Sequence, residues 1–265
     1  MALTIKKNLV IGVLAIIIIL LLILIGKRQQ SETGFATYNL TISNSSFANV
    51  SQVVYQEIEK SLVKMGFFYP PENRYLYVGT GFIVDQRGYI ITAKHNYEHY
   101  SSKASIDIGV FINQVGYVEL QNDKGEIGNY KVDRIENKRL ERKDTLLLKV
   151  IEQPNFKLYA VKIAPKEEIK LLSDVGFVGF TYIDENSPMQ SFSHKGSISK
   201  LELNLSGYTE PVYAVQTYAG EGFSGAPVFL ISNGKVFGLV KGGDINKGIM
   251  FVPPLHEIQD VIADS

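Results

Sequence analysis

The sequence predicts an all-β domain built in two similar halves, carried behind one apolar N-terminal helix. Strand-length apolar segments separated by turn residues recur from about residue 75 onward, about six on each side of a proline-containing section at residues 151–170. Asn8–Gly26, "NLVIGVLAIIIILLLILIG", is an uncharged run of 19 residues, long enough to cross a bilayer as a helix. The roughly 215 residues after position 50 can bury about 70% of their extended surface, so a self-sufficient domain is expected without disulfides.

Residues 1–7 are expected on the cytoplasmic side and residues 8–26 in the membrane. A cleaved signal peptide is the competing reading. The apolar region is longer than a signal core, and no A-x-A-like site precedes "KRQQ". Lys6 and Lys7 are balanced by Lys27 and Arg28 and do not orient the span. A long domain after a single N-terminal span is expected to translocate, which puts the folded part outside the cytoplasm. Residues 27–50, rich in Ser, Thr and Asn, read as a polar tether. Asn39, Asn44, Asn49 and Asn204 stand in N-x-S/T triplets, glycan acceptors only in a host that modifies exported chains.

"SQVVYQEIEKSLVKMGF" opens the domain of residues 51–265. Val54, Ile58 and Leu62 at spacing four predict an amphipathic helix with Ser51 as its N-cap. "YLYVGTGFIV", the turn "DQRG" and "YIITA" form a hairpin; "SIDIGVFI", "GYVELQ", "NYKVDRI" and "DTLLLKV" follow as strands. Beyond the proline-containing section come "DVGFVGF", "QSFSHKGSISKLE", "PVYAVQTY", "APVFLI", "KVFGLVKG" and "GIMFVP". "PLHEIQDVIA" closes the chain as a short helix with proline at its start.

Composition excludes several functions. Twenty-seven basic and 27 acidic residues give a net charge of zero, without the basic footprint of a nucleic-acid binder. The chain has no cysteine, hence no disulfide and no thiolate zinc site. Its four histidines are His95, His99, His194 and His256. "HNYEH", His95–His99, matches the zinc-peptidase pattern H-x-x-E-H, which needs a long helix to bring both histidines to one face. The β-like "YIITA" before it and the strand-like "SIDIGVF" after it leave room for one helical turn, so no metal or other cofactor is expected. His194 and His256 read as structural.

Serine chemistry has the necessary groups. A serine hydroxyl needs a base, and the base needs a carboxylate to hold its tautomer and stabilise the imidazolium. His95 lies at the end of the hairpin, Asp144 immediately before "TLLLKV", and Ser224 in the glycine-rich "GEGFSGAPVF". The order His, Asp, Ser matches one of the known chain orders of such triads.

These segments resemble the HtrA/DegP-like branch of the trypsin-like serine proteases. "GTGFIVDQRGYIITAKH" is similar to the segment leading to the catalytic histidine and "DTLLLKV" to the aspartate strand. "SHKGSISKLE" resembles the strand before the nucleophile, and "VQTYAGEGFSGAPVF" the nucleophile segment. "GKVFGLVKGG" and "GIMFVPPLHEIQDVI" resemble the closing strands and terminal helix. The resemblance implies two six-stranded antiparallel β-barrels, at about 66–152 and 166–252, and a terminal helix at about 254–264. It implies Ser224 as nucleophile, His95 as general acid/base, Asp144 as its orienting acid, and the amides of Gly222 and Ser224 as oxyanion hole. Leu239, Val240, Lys241 and Gly242 would line the substrate channel, with no deep acidic pocket for Arg or Lys. Protein or peptide substrates are implied, and a homo-oligomer is allowed.

Two substitutions depart from the family pattern. Phe223 replaces the acid that in digestive relatives pairs with a newly cut N-terminus, so activation by N-terminal cleavage is not expected. Ala226 replaces a glycine in G-N-S-G-G-P. The terminal helix closes the sequence, so control by a PDZ module is not assumed. A protease fold that binds without cutting is the first alternative reading, and a zinc metallopeptidase using "HNYEH" the second.

Overall fold

The computed structural model describes residues 44–69, 73–98, 116–121, 126–182, 187–206, 210–220 and 222–264. The proposed span at 8–26, most of the tether, the "SIDIGVFI" strand and His99 lie outside them. No described helix is long and apolar enough to cross a membrane.

Helix α1, Asn44–Glu59, starts seven positions before the expected Ser51 cap and stops before Leu62, which begins strand β1, Leu62–Tyr69. Period-two burial explains the switch. Val63, Met65 and Phe67 are buried, and their strand fills the gap between β2, Arg74–Asp85, and β4, Gly116–Gln121. With β3, Tyr89–Ala93, β5, Ile127–Ile135, and β6, Thr145–Val150, they close a barrel in the order β1-β2-β3-β6-β5-β4. The described residues of the first half thus close a six-stranded barrel, with β1 as an unforeseen member, while the expected "SIDIGVFI" strand lies outside them.

The second half differs from the expected six-stranded barrel. It is a seven-stranded sheet in the order β11-β10-β7-β8-β9-β13-β12 and is not closed by a ladder. Its strands are β7, Asp174–Thr181, β8, Gln190–Leu203, β9, Val212–Gln216, β10, Pro227–Leu230, β11, Val236–Leu239, β12, Gly242–Asp244, and β13, Ile249–Val252. "KVFGLVKG", expected as one strand, supplies both edges. Val240 N–H donates to Ala226 O at 2.8 Å on the β10 side, whereas Lys241 N–H donates to Phe251 O at 3.2 Å on the β13 side. Two consecutive residues thus turn to opposite neighbours, and the covalent chain joins the edges where a ladder would.

Alternating side chains sort the core into three clusters. Ile90, Leu146 and Leu148 fill the closed barrel; Ile91 and Leu147, one position along, face a cluster with Leu239, Leu255, Ile258 and Ile262. Phe177, Val215, Phe223, Val228 and Phe237 share the third. Full burial of each such side chain contributes about 1.5–3 kcal/mol. The terminal helix α3, Ile258–Ala263, is shorter than expected because Pro254 is held in a bridge to Gly238 and Leu255 N–H donates to Phe237 O.

Candidate active site

The first two site residues meet because β3 and β6 are zipped to their ends. Ala93 pairs with Thr145, and one residue further Lys94 N–H donates to Asp144 O at 2.9 Å. Residues 94–98 are then helical and carry His95. Asp144 follows the short helix α2, Lys138–Arg142, capped by the Asn137 side chain, and takes a left-handed backbone at φ 57°. Asp tolerates that conformation better than most residues, because its short polar side chain can bond locally.

This geometry aims the Asp144 carboxylate at His95 twice. His95 N–H donates to Oδ1 at 3.1 Å, and the ring Nδ1 lies 2.7 Å from Oδ2. An ionised carboxylate only accepts, so Nδ1 carries the proton and Nε2 holds the lone pair required of a base. The Asp144 side chain is 15% exposed and that of His95 41%, a shielded acid behind an accessible ring. Lys241 Nζ sits 3.7 Å from Oδ2, the oxygen that faces His95. Burial pushes the Lys241 ammonium below the ordinary lysine value, and Asp144 pulls it part of the way back.

Ser224 is secured through its backbone. Its carbonyl accepts from Thr80 N–H at 3.1 Å and from the Asn96 side chain at 2.7 Å, which ties the serine loop to the residue next to His95. Among the described residues no hydrogen bond joins Ser224 Oγ to His95, and no protein acceptor takes the N–H of Gly222 or Ser224. Gly225 has φ 87°, and a Cβ there would collide with Thr80 O and fall 2.6 Å from Thr92 Oγ1. Glycine is required at that close approach of loop to barrel. Gly222, φ 90°, is pinned through its carbonyl, 3.2 Å from Thr80 Oγ1, which in turn accepts from Phe180 N–H at 2.8 Å.

Phe223 is 3% exposed and faces inward, its ring 5.4 Å from Phe177 and 5.1 Å from His194, edge-on to both. The acid of digestive relatives is thus replaced by an apolar anchor into the second core, while Ala226, fully buried, packs close to Gly179. His194 stacks on Phe177, and burial holds its ring below the usual histidine value. Of the expected channel residues, Leu239 and Val240 are buried in the core; Lys241 and Gly242 are half-buried. Described groups of His, Asp and Glu include none able to hold a metal ion, and His95 Nδ1 is bonded to Asp144.

Sequence reasoning missed Thr80, Asn96 and the contact of Lys241 with Asp144. Thr80 stood between two glycines in "GTG" and Asn96 beside His95, places where a small or polar side chain serves a close backbone approach.

Residues 79–239 match the family described as trypsin-like peptidase domain. No curated protein matches the chain. Among solved structures, the crystal structure of Deg5 is similar at a TM-score of 0.59 and 19% identity, over 82% of this chain and 92% of that one.

Proposed function

The chain belongs to the trypsin-like peptidase domain family, the serine endopeptidases, and from that premise we propose that it cuts peptide bonds with Ser224, His95 and Asp144 from an N-terminal membrane anchor. The His95–Asp144 couple is the observation that carries the reading: a carboxylate bonded to both the backbone and Nδ1 of one histidine leaves Nε2 as a base. The Asn96 bond to Ser224 O brings the serine loop to the same turn.

In the proposed reaction His95 Nε2 takes the proton of Ser224 Oγ as that oxygen attacks the substrate carbonyl. The amides of Gly222 and Ser224 receive the negative charge of the tetrahedral intermediate. His95 then gives the proton to the departing amine, and water repeats the sequence in reverse on the acyl-enzyme. Asp144 remains ionised throughout and stabilises the imidazolium. Of the channel residues, Lys241 and Gly242 are half-buried, whereas Leu239 and Val240 serve the core. The anchor rests on the apolar run 8–26, and an extracytoplasmic domain on its length after a single span.

A second reading, a protease fold that binds without cutting, draws on the lack of a hydrogen bond between Ser224 Oγ and His95 among the described residues. Peptide-library hydrolysis separates the two. Proteolysis expected of the wild type is lost in Ser224→Ala and unaffected by chelators; a well-folded protein that cleaves nothing supports the binding reading.

A further inference from the structure

Tyr55 is a half-buried residue of α1 with no part in the mechanism just described. Helix α1 leads into β1 of the closed barrel, yet Tyr55 turns to the second half of the fold. Its ring stands edge-on to Phe229 of β10 with centroids 5.1 Å apart, and its hydroxyl donates to the backbone carbonyl of His194 on β8. Gly176 of β7 makes room for this contact, because a Cβ there would fall 2.6 Å from the hydroxyl oxygen. Burial pushes the Tyr55 hydroxyl up to about 12, so it keeps its proton and remains a donor through neutral pH.

We propose that Tyr55 is a positioning residue for the nucleophile loop: its bond to His194 O fixes β8 where the His194 ring seats Phe223, and so holds the amides on either side of Phe223 in the orientation that receives the oxyanion. The inference rests on the triad reading and deepens it. Phe223 stands between Gly222 and Ser224, the two residues whose amides form the proposed oxyanion hole. Its ring is held edge-on by two others, Phe177 at 5.4 Å and His194 at 5.1 Å. A displacement of either support therefore reaches the backbone at the position where the donors must be preorganised.

The two supports are not equally secured by the sheet. Phe177 lies in β7, which is laddered on both sides at that residue, to Val228 of β10 and to His194 of β8. The ladder from β8 to β9 begins only at Ser197, so among the described residues β7 is the strand paired with His194. Tyr55 supplies a second tie at the less constrained of the two supports. A further bond joins the same helix and strand, from the Ser191 hydroxyl to the Glu59 carboxylate, at a residue that does not support Phe223. It offers a comparison in which α1 is loosened without touching the support of the loop.

The test compares the full-length wild type with Tyr55→Phe and Ser191→Ala. Phenylalanine keeps the ring against Phe229 and removes only the donor. Tyr55→Phe is expected to lower kcat on a peptide substrate, and the rate of reaction with a fluorophosphonate, by about fivefold, the equivalent of about 1 kcal/mol. KM is expected to stay unchanged, because the amides act on the transition state. The backbone amide resonances of Gly222, Phe223 and Ser224 are expected to shift in Tyr55→Phe and to stay in place in Ser191→Ala, which keeps the wild-type rates. A helix that merely stabilises the fold would give the two variants the same rates and the same loop resonances, and that result overturns the inference. A wild type without Ser224-dependent activity overturns the triad reading, and the loop resonances then still decide the role of Tyr55.

Discussion

Thr80→Val removes one hydroxyl from the junction of three chain segments and keeps the side chain's shape. Thr80 is fully buried; its Oγ1 accepts Phe180 N–H at 2.8 Å and donates to Gly222 O at 3.2 Å, while its backbone N–H holds Ser224 O. Valine leaves the Phe180 amide and the Gly222 carbonyl without that partner and opens no cavity. A buried polar group left unpaired costs about 1–3 kcal/mol, so two predict a loss of about 2–6 kcal/mol. The loss should be read twice, as unfolding free energy in urea and as the rate of acylation by a fluorophosphonate. Because Gly222 supplies an amide to the proposed oxyanion hole, acylation should fall about tenfold or more, the equivalent of about 1.4 kcal/mol. Thr80→Ser keeps the hydroxyl, deletes one methyl worth about 1 kcal/mol, and should acylate at near the wild-type rate. Valine and serine variants of equal rate, or a valine variant as stable as the wild type, would refute the role given to this hydroxyl.

Three further outcomes follow from contacts at and around the site. Gly225→Ala forces a left-handed alanine against the backbone of β2 and β3, and should lower stability by about 3 kcal/mol or more and abolish acylation; thermal unfolding within a degree or two of the wild type would contradict this. Phe223→Ala empties a buried aromatic site between Phe177 and His194, and urea unfolding should report a loss of about 3–5 kcal/mol, whereas a loss below about 1 kcal/mol would mean that the ring does not anchor the loop. Stability should fall in two stages with acid. His194 and His256 are held below the ordinary 6.5 by burial, so their contribution is present above that value and is lost as pH falls through their folded values. Glu141 beside Arg134 and Glu257 beside Lys143 are held below the ordinary 4.5, and their contribution is lost as pH falls below 4.5. A urea midpoint constant from pH 7 to pH 5 would exclude the first stage.

Strand content was legible where burial imposes one period on a segment. "YIITA" and "TLLLKV" are apolar on both faces because one face fills the barrel and the other meets the second half, and both emerge as expected. "SLVKMGF" satisfied helical spacing through Leu62 and strand spacing through Val63, Met65 and Phe67. Its pairing with β2 and β4, which local sequence does not contain, decided for the strand. The break of "KVFGLVKG" into two edges depends on which neighbours take the Val240 and Lys241 amides, also a tertiary fact. Within the site, His95 and Asp144 were legible from their places at the ends of core strands. Thr80 and Asn96 were not, because each acts on a loop more than a hundred residues away through a backbone atom. Phe223 was recognised as a departure, but only the second core, with Phe177 and His194, gives its inward direction a cause.

The claim that Ser224 is the nucleophile driven by His95 is tested most directly by the mass of the Ser224 peptide after fluorophosphonate treatment of wild-type and His95→Ala protein. The triad predicts one covalent adduct on Ser224 in the wild type, and an adduct that forms orders of magnitude more slowly without the His95 base. A folded wild type with no adduct on Ser224, or equal labelling of both proteins, would contradict it.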